Sequence, residues 1–171
     1  DPSVLVMVEN TSNLQHPSFV HCIDRTLARI EDEMKDFCPE ILITLGGAIV
    51  SKKIKQWLRG AALDEHWRVG LAFPEMDTYR KMTVSLTCMP GEFIHHLNQL
   101  PRQMDSNFGA RWKQRDHLAA EAMVGYLETI PFSDLKVFEL ILDCLPEDSV
   151  LSLANSSVVR YAQLFLSLIH I

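Results

Sequence analysis

The sequence predicts an α/β protein: an open, mostly parallel sheet with flanking helices, followed by an incomplete second α/β unit. Three observations carry that prediction. Continuous apolar runs rich in β-branched residues, at 4–8 and 41–45, have the pattern of strands covered on both faces. Helical periodicities alternate with these runs, and turns of Gly, Asn and Ser join them. With 171 residues, 47% hydrophobic and 22% charged, the chain has the composition and length to bury a core.

The elements follow in order. Residues 4–8 read as a buried strand, which Asn10-Thr11-Ser12-Asn13 breaks. A helix is predicted over 18–35, with Val20, Ile23, Leu27, Ile30 and Met34 inward and Asp24, Glu31, Asp32 and Glu33 solvated. Pro39 stops it. Strand 41–45 then meets Gly46-Gly47 and a helix over 48–58, and further strands are expected at 67–71 and 83–87. Gly91-Glu92 opens a helix over 93–100, which Pro101 ends.

The first domain is therefore expected at 1–101, with a linker and the start of a helix at 102–117, and a second, incomplete unit at 118–171. In that unit a helix over 111–128 turns Leu118, Ala122 and Leu127 inward. A second helix begins after a Ser133 cap, with Val137, Leu140, Ile141 and Cys144 as its apolar stripe. A strand at 150–153 and a helix from Asn155-Ser156-Ser157 complete the pattern. The chain starts at Asp1 directly before a strand pattern and stops in the apolar run 165–171, so it reads as a segment of something longer.

Charge and cysteine usage exclude several classes. Sixteen basic against twenty-two acidic residues give a net charge of −6, which leaves no basic face for nucleic acid. No apolar stretch approaches the ~20 residues of a transmembrane helix. Cys22, Cys38, Cys88 and Cys144 are scattered without C-x-x-C spacing and read as reduced cytoplasmic thiols. His16 and His21, and the adjacent His95 and His96, do not share a helix face, so no metal site is expected from them. Patterns for serine hydrolases and zinc proteases are missing.

Two constellations carry chemistry. In Leu45-Gly46-Gly47-Ala48-Ile49-Val50-Ser51-Lys52-Lys53, a strand runs into a helix, where backbone N–H groups and the helix dipole favour an anion. It is neither a P-loop nor a dinucleotide fingerprint. In Asn155-Ser156-Ser157-Val158-Val159-Arg160, Asn155 and Ser156 are natural caps, and Arg160 lies one turn into a helix, able to grip a carboxylate with two parallel hydrogen bonds. Both lie after strands, at the carboxyl ends where open α/β sheets bind ligands. A tight turn beside solvated lysines, and a capped helix with an exposed arginine, remain the structural alternatives.

Taken together, Leu45-Gly46-Gly47, Lys52-Lys53-Ile54-Lys55-Gln56-Trp57, His66-Trp67-Arg68-Val69 and Leu153-Ala154-Asn155-Ser156-Ser157-Val158-Val159-Arg160 resemble the 2-succinyl-5-enolpyruvyl-6-hydroxy-3-cyclohexene-1-carboxylate (SEPHCHC) synthase family of thiamine-diphosphate enzymes. The resemblance covers nearly the whole chain. It implies most of a central domain, lacking its first strand, and the N-terminal part of a diphosphate-binding domain. It also implies a cytoplasmic homo-oligomer, a dimer or tetramer, using thiamine diphosphate and Mg2+. The implied reaction is a transfer in menaquinone biosynthesis: 2-oxoglutarate is decarboxylated and the succinyl unit is added to isochorismate.

By the same resemblance, Lys52 and Lys53 match a basic pair directed at substrate carboxylate, and Asn155, Ser156 and Arg160 match a turn that contacts substrate and the cofactor-bound intermediate. Some members carry arginine where this chain has Lys53, whose ammonium offers charge without a bidentate fork. The catalytic glutamate and the G-D-G…N motif for magnesium and diphosphate fall outside these residues, so the segment alone is expected to be inactive. The family would continue towards an Asn-Arg-Gly turn where this chain has 166–171. A free-standing nucleotide- or anion-binding module without catalysis is the alternative. A helical interaction protein fits the buried strands less well.

Overall fold

Three of the four strands that the sequence places after Pro39 form one parallel sheet in the order β1-β2-β3, with β1 at Ile41–Leu45, β2 at Glu65–Val69, two residues earlier than expected, and β3 at Val84–Leu86. The structure is a computed structural model that describes residues 1–12, 14–28, 34–102, 105–146 and 148–165. Ile43 pairs with Trp67 and Trp67 with Val84, which sets the register across the sheet. The expected α/β class, with its parallel sheet and flanking helices, is the one observed.

Seven helices accompany the sheet among the described residues: α1 (Ile23–Thr26), α2 (Met34–Phe37), α3 (Lys52–Gly60), α4 (Pro90–Leu97), α5 (Phe108–Thr129), α6 (Asp134–Asp143) and α7 (Ser157–Ala162). The chain divides into two compact units. One comprises Asp1–Val4 and Arg29–Phe108, and the other Leu5–Ala28 and Gly109–Ile171.

The first unit is built around β1–α3–β2. Helix α3 starts where the Ser51 hydroxyl accepts the Ile54 N–H at 3.1 Å, and it buries Ile54, Trp57 and Leu58. Pro90 opens α4, and the Glu92 carboxylate accepts the Met89 N–H at 3.3 Å. Phe93 of α4 meets Trp67 edge-on with ring centroids 6.4 Å apart. From β2 to β3 the chain crosses without a helix, through a loop held by its own polar groups. Asp77 accepts the Lys81 and Met82 N–H groups at 3.0 and 3.1 Å, and Ser85 donates to the Pro74 carbonyl at 2.7 Å.

The second unit packs Val8, Val20, Cys22, Ile23, Leu27, Trp112, Leu127, Leu142 and Ala162 out of solvent. A polar cluster ties its segments together. Arg25 lies 3.5 Å from Asp116, Thr26 donates its hydroxyl to the same carboxylate, and Arg115 donates to the carbonyls of Thr26 and Ala28 at 2.9 and 2.8 Å. Burial pushes the Cys22 thiol up to about 12, Arg25 opposing and Asp116 reinforcing that shift. All four cysteines are free thiols; Cys22 is buried, Cys38 and Cys88 half-buried, and Cys144 exposed.

Several expected elements change. Residues 4–8 do not form a strand; they make one parallel bridge, Met7 to Val20, with Val8 donating to Val20 and Val20 to Val6, both at 2.9 Å. Pro17, which has no N–H, and the turn through His16 and Ser18 leave no partner to extend the ladder. Because Val20 is used in that bridge, the helix expected from residue 18 begins only at α1. Val20, Ile23 and Leu27 are buried as expected, whereas Ile30, the acidic residues 31–33 and the Met34 side chain lie outside the described residues.

Helix α5 does not bury Leu118 or Ala122; Gly109, Trp112 and Leu127 are its buried positions. In α6 the buried residue is Leu142, while Leu140, Ile141 and Cys144 are exposed. Apolar residues surround α6 on several faces, so spacing does not select which one turns inward. Ser133 makes no side-chain cap bond. Residues 150–153 are irregular and not a strand, and Val150 is 86% exposed. The terminal run 166–171 lies outside the described residues.

Candidate functional site

In the first unit, β1 ends at Leu45 and the chain turns through Gly46, whose φ of +81° is the left-handed conformation that glycine adopts without penalty. A Cβ at Gly46 would meet nothing within 4 Å, so backbone conformation and not crowding is what calls for glycine here. The turn continues to the Ser51 cap, and Lys52 and Lys53 are the first two residues of α3. Both are exposed. The Lys55 ammonium folds back to the Ile49 carbonyl at 3.0 Å, and Arg59 makes a two-nitrogen contact with the Thr78 carbonyl at 3.0 and 2.9 Å. Lys52, Lys55, Gln56 and Arg59 line an open hollow along this helix.

His66 and Arg68 stand in the motif His66-Trp67-Arg68-Val69, which by itself assigns them no role. Both side chains lie on one face of β2, as alternation in a strand requires, and both are buried at 1% and 4% exposure. Arg68 donates to the carbonyls of Gly46, Val69 and Ala72, the latter two at 3.2 and 3.3 Å. His66 Nε2 meets the Thr44 hydroxyl at 3.0 Å, and its Nδ1 lies 3.7 Å from Asp77. The edge of Tyr79 packs on the imidazole with centroids 5.3 Å apart. The signal that could have found them is a charged residue and a histidine alternating within an otherwise strand-like run.

Burial pushes the His66 imidazole below its ordinary value; Asp77 opposes this and Arg68 adds to it. Desolvation alone would raise the Asp77 carboxyl. The Lys81 and Met82 N–H bonds, His66 and the Arg80 N–H together outweigh it and hold that carboxyl below the usual carboxylate range.

In the second unit, Asn155 and Ser156 precede α7 and are exposed. Neither caps the helix in the expected way: the Ser156 side chain makes no cap bond, and the Asn155 Oδ1 accepts the Ser156 N–H at 2.8 Å. Ser156 has φ 112° and ψ −142°, a region in which only glycine is unstrained. The extended backbone of an N-cap, which aims its hydroxyl at the N3 amide, is therefore not available to it. Arg160 is half-buried, and its Nε is enclosed without a hydrogen-bond partner among the described residues. Lys52 and Lys53 thus belong to one unit, and Asn155, Ser156 and Arg160 to the other.

The family model for thiamine pyrophosphate enzymes, described as "Middle domain of thiamine pyrophosphate", matches residues 5–153. The chain belongs to this family of thiamine pyrophosphate enzyme middle domains. It is 38% identical over 165 residues to the SEPHCHC synthase of Flavobacterium johnsoniae, and 40% identical over 166 residues to that of Flavobacterium psychrophilum. It is also 34% identical over 173 residues to the enzyme of the same name from Porphyromonas gingivalis. Each comparison covers 96% of this chain, and the chain spans 30% of the length of these relatives.

Among the described residues, no group of three His, Cys, Asp or Glu side chains could hold a metal ion, and no helix is long and apolar enough to cross a membrane.

Proposed function

We propose that this chain is a segment of a SEPHCHC synthase and supplies part of its substrate-binding machinery. The whole protein would be a transferase of menaquinone biosynthesis that decarboxylates 2-oxoglutarate with thiamine diphosphate and adds the succinyl unit to isochorismate. The observation that carries this reading is the similarity to proteins of that name along 96% of the chain.

The motif that would hold magnesium and diphosphate is expected outside these residues, and among the described ones no group of three His, Cys, Asp or Glu could hold the ion. Their contribution is to the substrates, both of them polycarboxylates. Lys52 and Lys53, exposed at the start of α3, present two cations where the helix dipole also favours negative charge. Asn155 and Ser156 offer short polar groups on a strained turn, and Arg160 offers a planar fork that matches a carboxylate.

In this reading 1–101 belongs to the central domain, 102–117 links it onward, and 118–171 begins the diphosphate-binding domain. The chain passes from one compact unit to the other at Phe108–Gly109, inside 102–117, while Leu5–Ala28 also belongs to the second unit. The whole enzyme would be a cytoplasmic dimer or tetramer, and the segment alone would be inactive.

The test is to assay this chain alone and within the full-length protein, supplying 2-oxoglutarate, isochorismate, thiamine diphosphate and magnesium. Synthase activity only in the full-length protein, and its loss on Arg160→Met, is the expected result. Activity in neither, with tight nucleotide binding by the chain alone, would assign it instead as a free-standing binding module.

A further inference from the structure

The turn between β1 and α3 leads into the lysine pair that opens α3, and it contains no regular hydrogen-bonded ladder of its own. Side chains hold it at three points. At its far end Ser51 caps α3, in its middle Lys55 holds the Ile49 carbonyl, and at its near end Arg68 reaches across from β2 to the Gly46 carbonyl. Of these only Arg68 comes from another strand.

Arg68 is an unusual residue for such a place. It is 4% exposed, and among the described residues no carboxylate pairs with it. Its terminal nitrogens meet carbonyl dipoles, those of Gly46 after β1, of Val69 at the end of β2 and of Ala72 beyond it, while its Nε has no partner among the described residues. The guanidinium lies over Gly70, where an added Cβ would come within 3.6 Å of Nη2. Burying a cation without a counter-charge is costly, and the cost falls only when several acceptors point at it in a fixed arrangement. A planar fork with five donors can bridge carbonyls on two chain segments at once; a lysine ammonium is a point donor on a flexible stem.

We propose that Arg68 is a positioning residue for substrate binding: by holding the Gly46 carbonyl to the end of β2, it sets the course of the 46–51 turn and hence the placement of Lys52 and Lys53. The inference rests on the reading that these lysines take a substrate carboxylate. Arg68 itself does not touch substrate; it acts through the turn. Small displacements of a binding group are felt strongly in catalysis, so its loss appears in substrate use before it appears as loss of the fold.

The experiment uses Arg68→Lys in the full-length protein, with two readouts. Steady-state kinetics should show KM for the substrate held by the lysines rising about tenfold, with kcat within about twofold. Hydrogen exchange should quicken at the amides of 46–53 and stay unchanged in β3. Gly46→Ala, which opposes the φ of +81° from the other partner of the same bond, should reproduce both effects. The double variant should raise KM by less than the product of the single effects.

If Arg68→Lys does not fold, Arg68→Gln, which keeps a planar amide donor but loses the charge and the fork, is read in the same two ways. Lower thermal stability, with KM and the exchange of 46–53 both unchanged, would overturn the inference and leave Arg68 as a core residue only. A wild-type protein without synthase activity would remove the synthase reading instead. The exchange readout would then decide whether Arg68 holds the turn.

Discussion

His66 shows how a single buried residue makes stability depend on pH. Its pKa in the folded protein lies below the ordinary 6.5, so on acidification the unfolded chain takes up the proton first. The stabilisation is complete above about pH 6.5, is lost as pH falls from there towards the folded value, and then levels off. Urea titrations between about pH 8 and pH 5 should show that decline, and His66→Asn should flatten it. Asp77 acts in a lower window: its folded pKa lies below 3.8, so its contribution is lost as pH falls below that value. Ser156 makes the opposite kind of prediction. Replacing it with glycine relieves a strained φ and should stabilise the protein by about 1 kcal/mol, while removing a hydroxyl from the proposed substrate turn. A higher melting temperature with weaker synthase activity is the expected pair of results.

Helix α3 was the most legible element, because strand 41–45, two glycines, a serine and an amphipathic run follow one another directly. Its start nevertheless falls at Lys52 and not at 48, since the turn needs 46–51 to reach the Ser51 cap. Ser51→Ala should cost about 1 kcal/mol, read by chemical denaturation. The segment 4–35 was the least legible. A run such as Val4-Leu5-Val6-Met7-Val8 has strand propensity whether or not another strand lies beside it, and only tertiary structure supplies the partner. Likewise, no spacing rule announces that Thr26, ninety residues away, bonds to Asp116. Removing that carboxylate by Asp116→Ala leaves Arg25, 9% exposed, without its ion pair and should cost about 3 kcal/mol in urea unfolding. Within the candidate site, the exposed cations were readable from residue type and position. The buried Arg68 that fixes their turn was not, because a charge in a strand reads as solvent-facing until the loops above it are known.

On the scale of the whole molecule, the described residues leave large apolar side chains in solvent. Phe132 is 80% exposed, Val150 86%, Leu118 55% and Val124 60%. Surfaces of that kind associate, so this chain expressed alone should form oligomers or aggregates by light scattering, and a monodisperse monomer would count against that expectation. The chain spans 30% of its relatives' length. The lysine pair opening α3 is proposed to bind a substrate carboxylate of a SEPHCHC synthase. Steady-state kinetics of the full-length protein carrying Lys52→Met and Lys53→Met, with 2-oxoglutarate and isochorismate varied in turn, tests it most directly. KM for one of the two substrates should rise by about tenfold or more, with the fold intact by circular dichroism. Unchanged KM values for both substrates would contradict it.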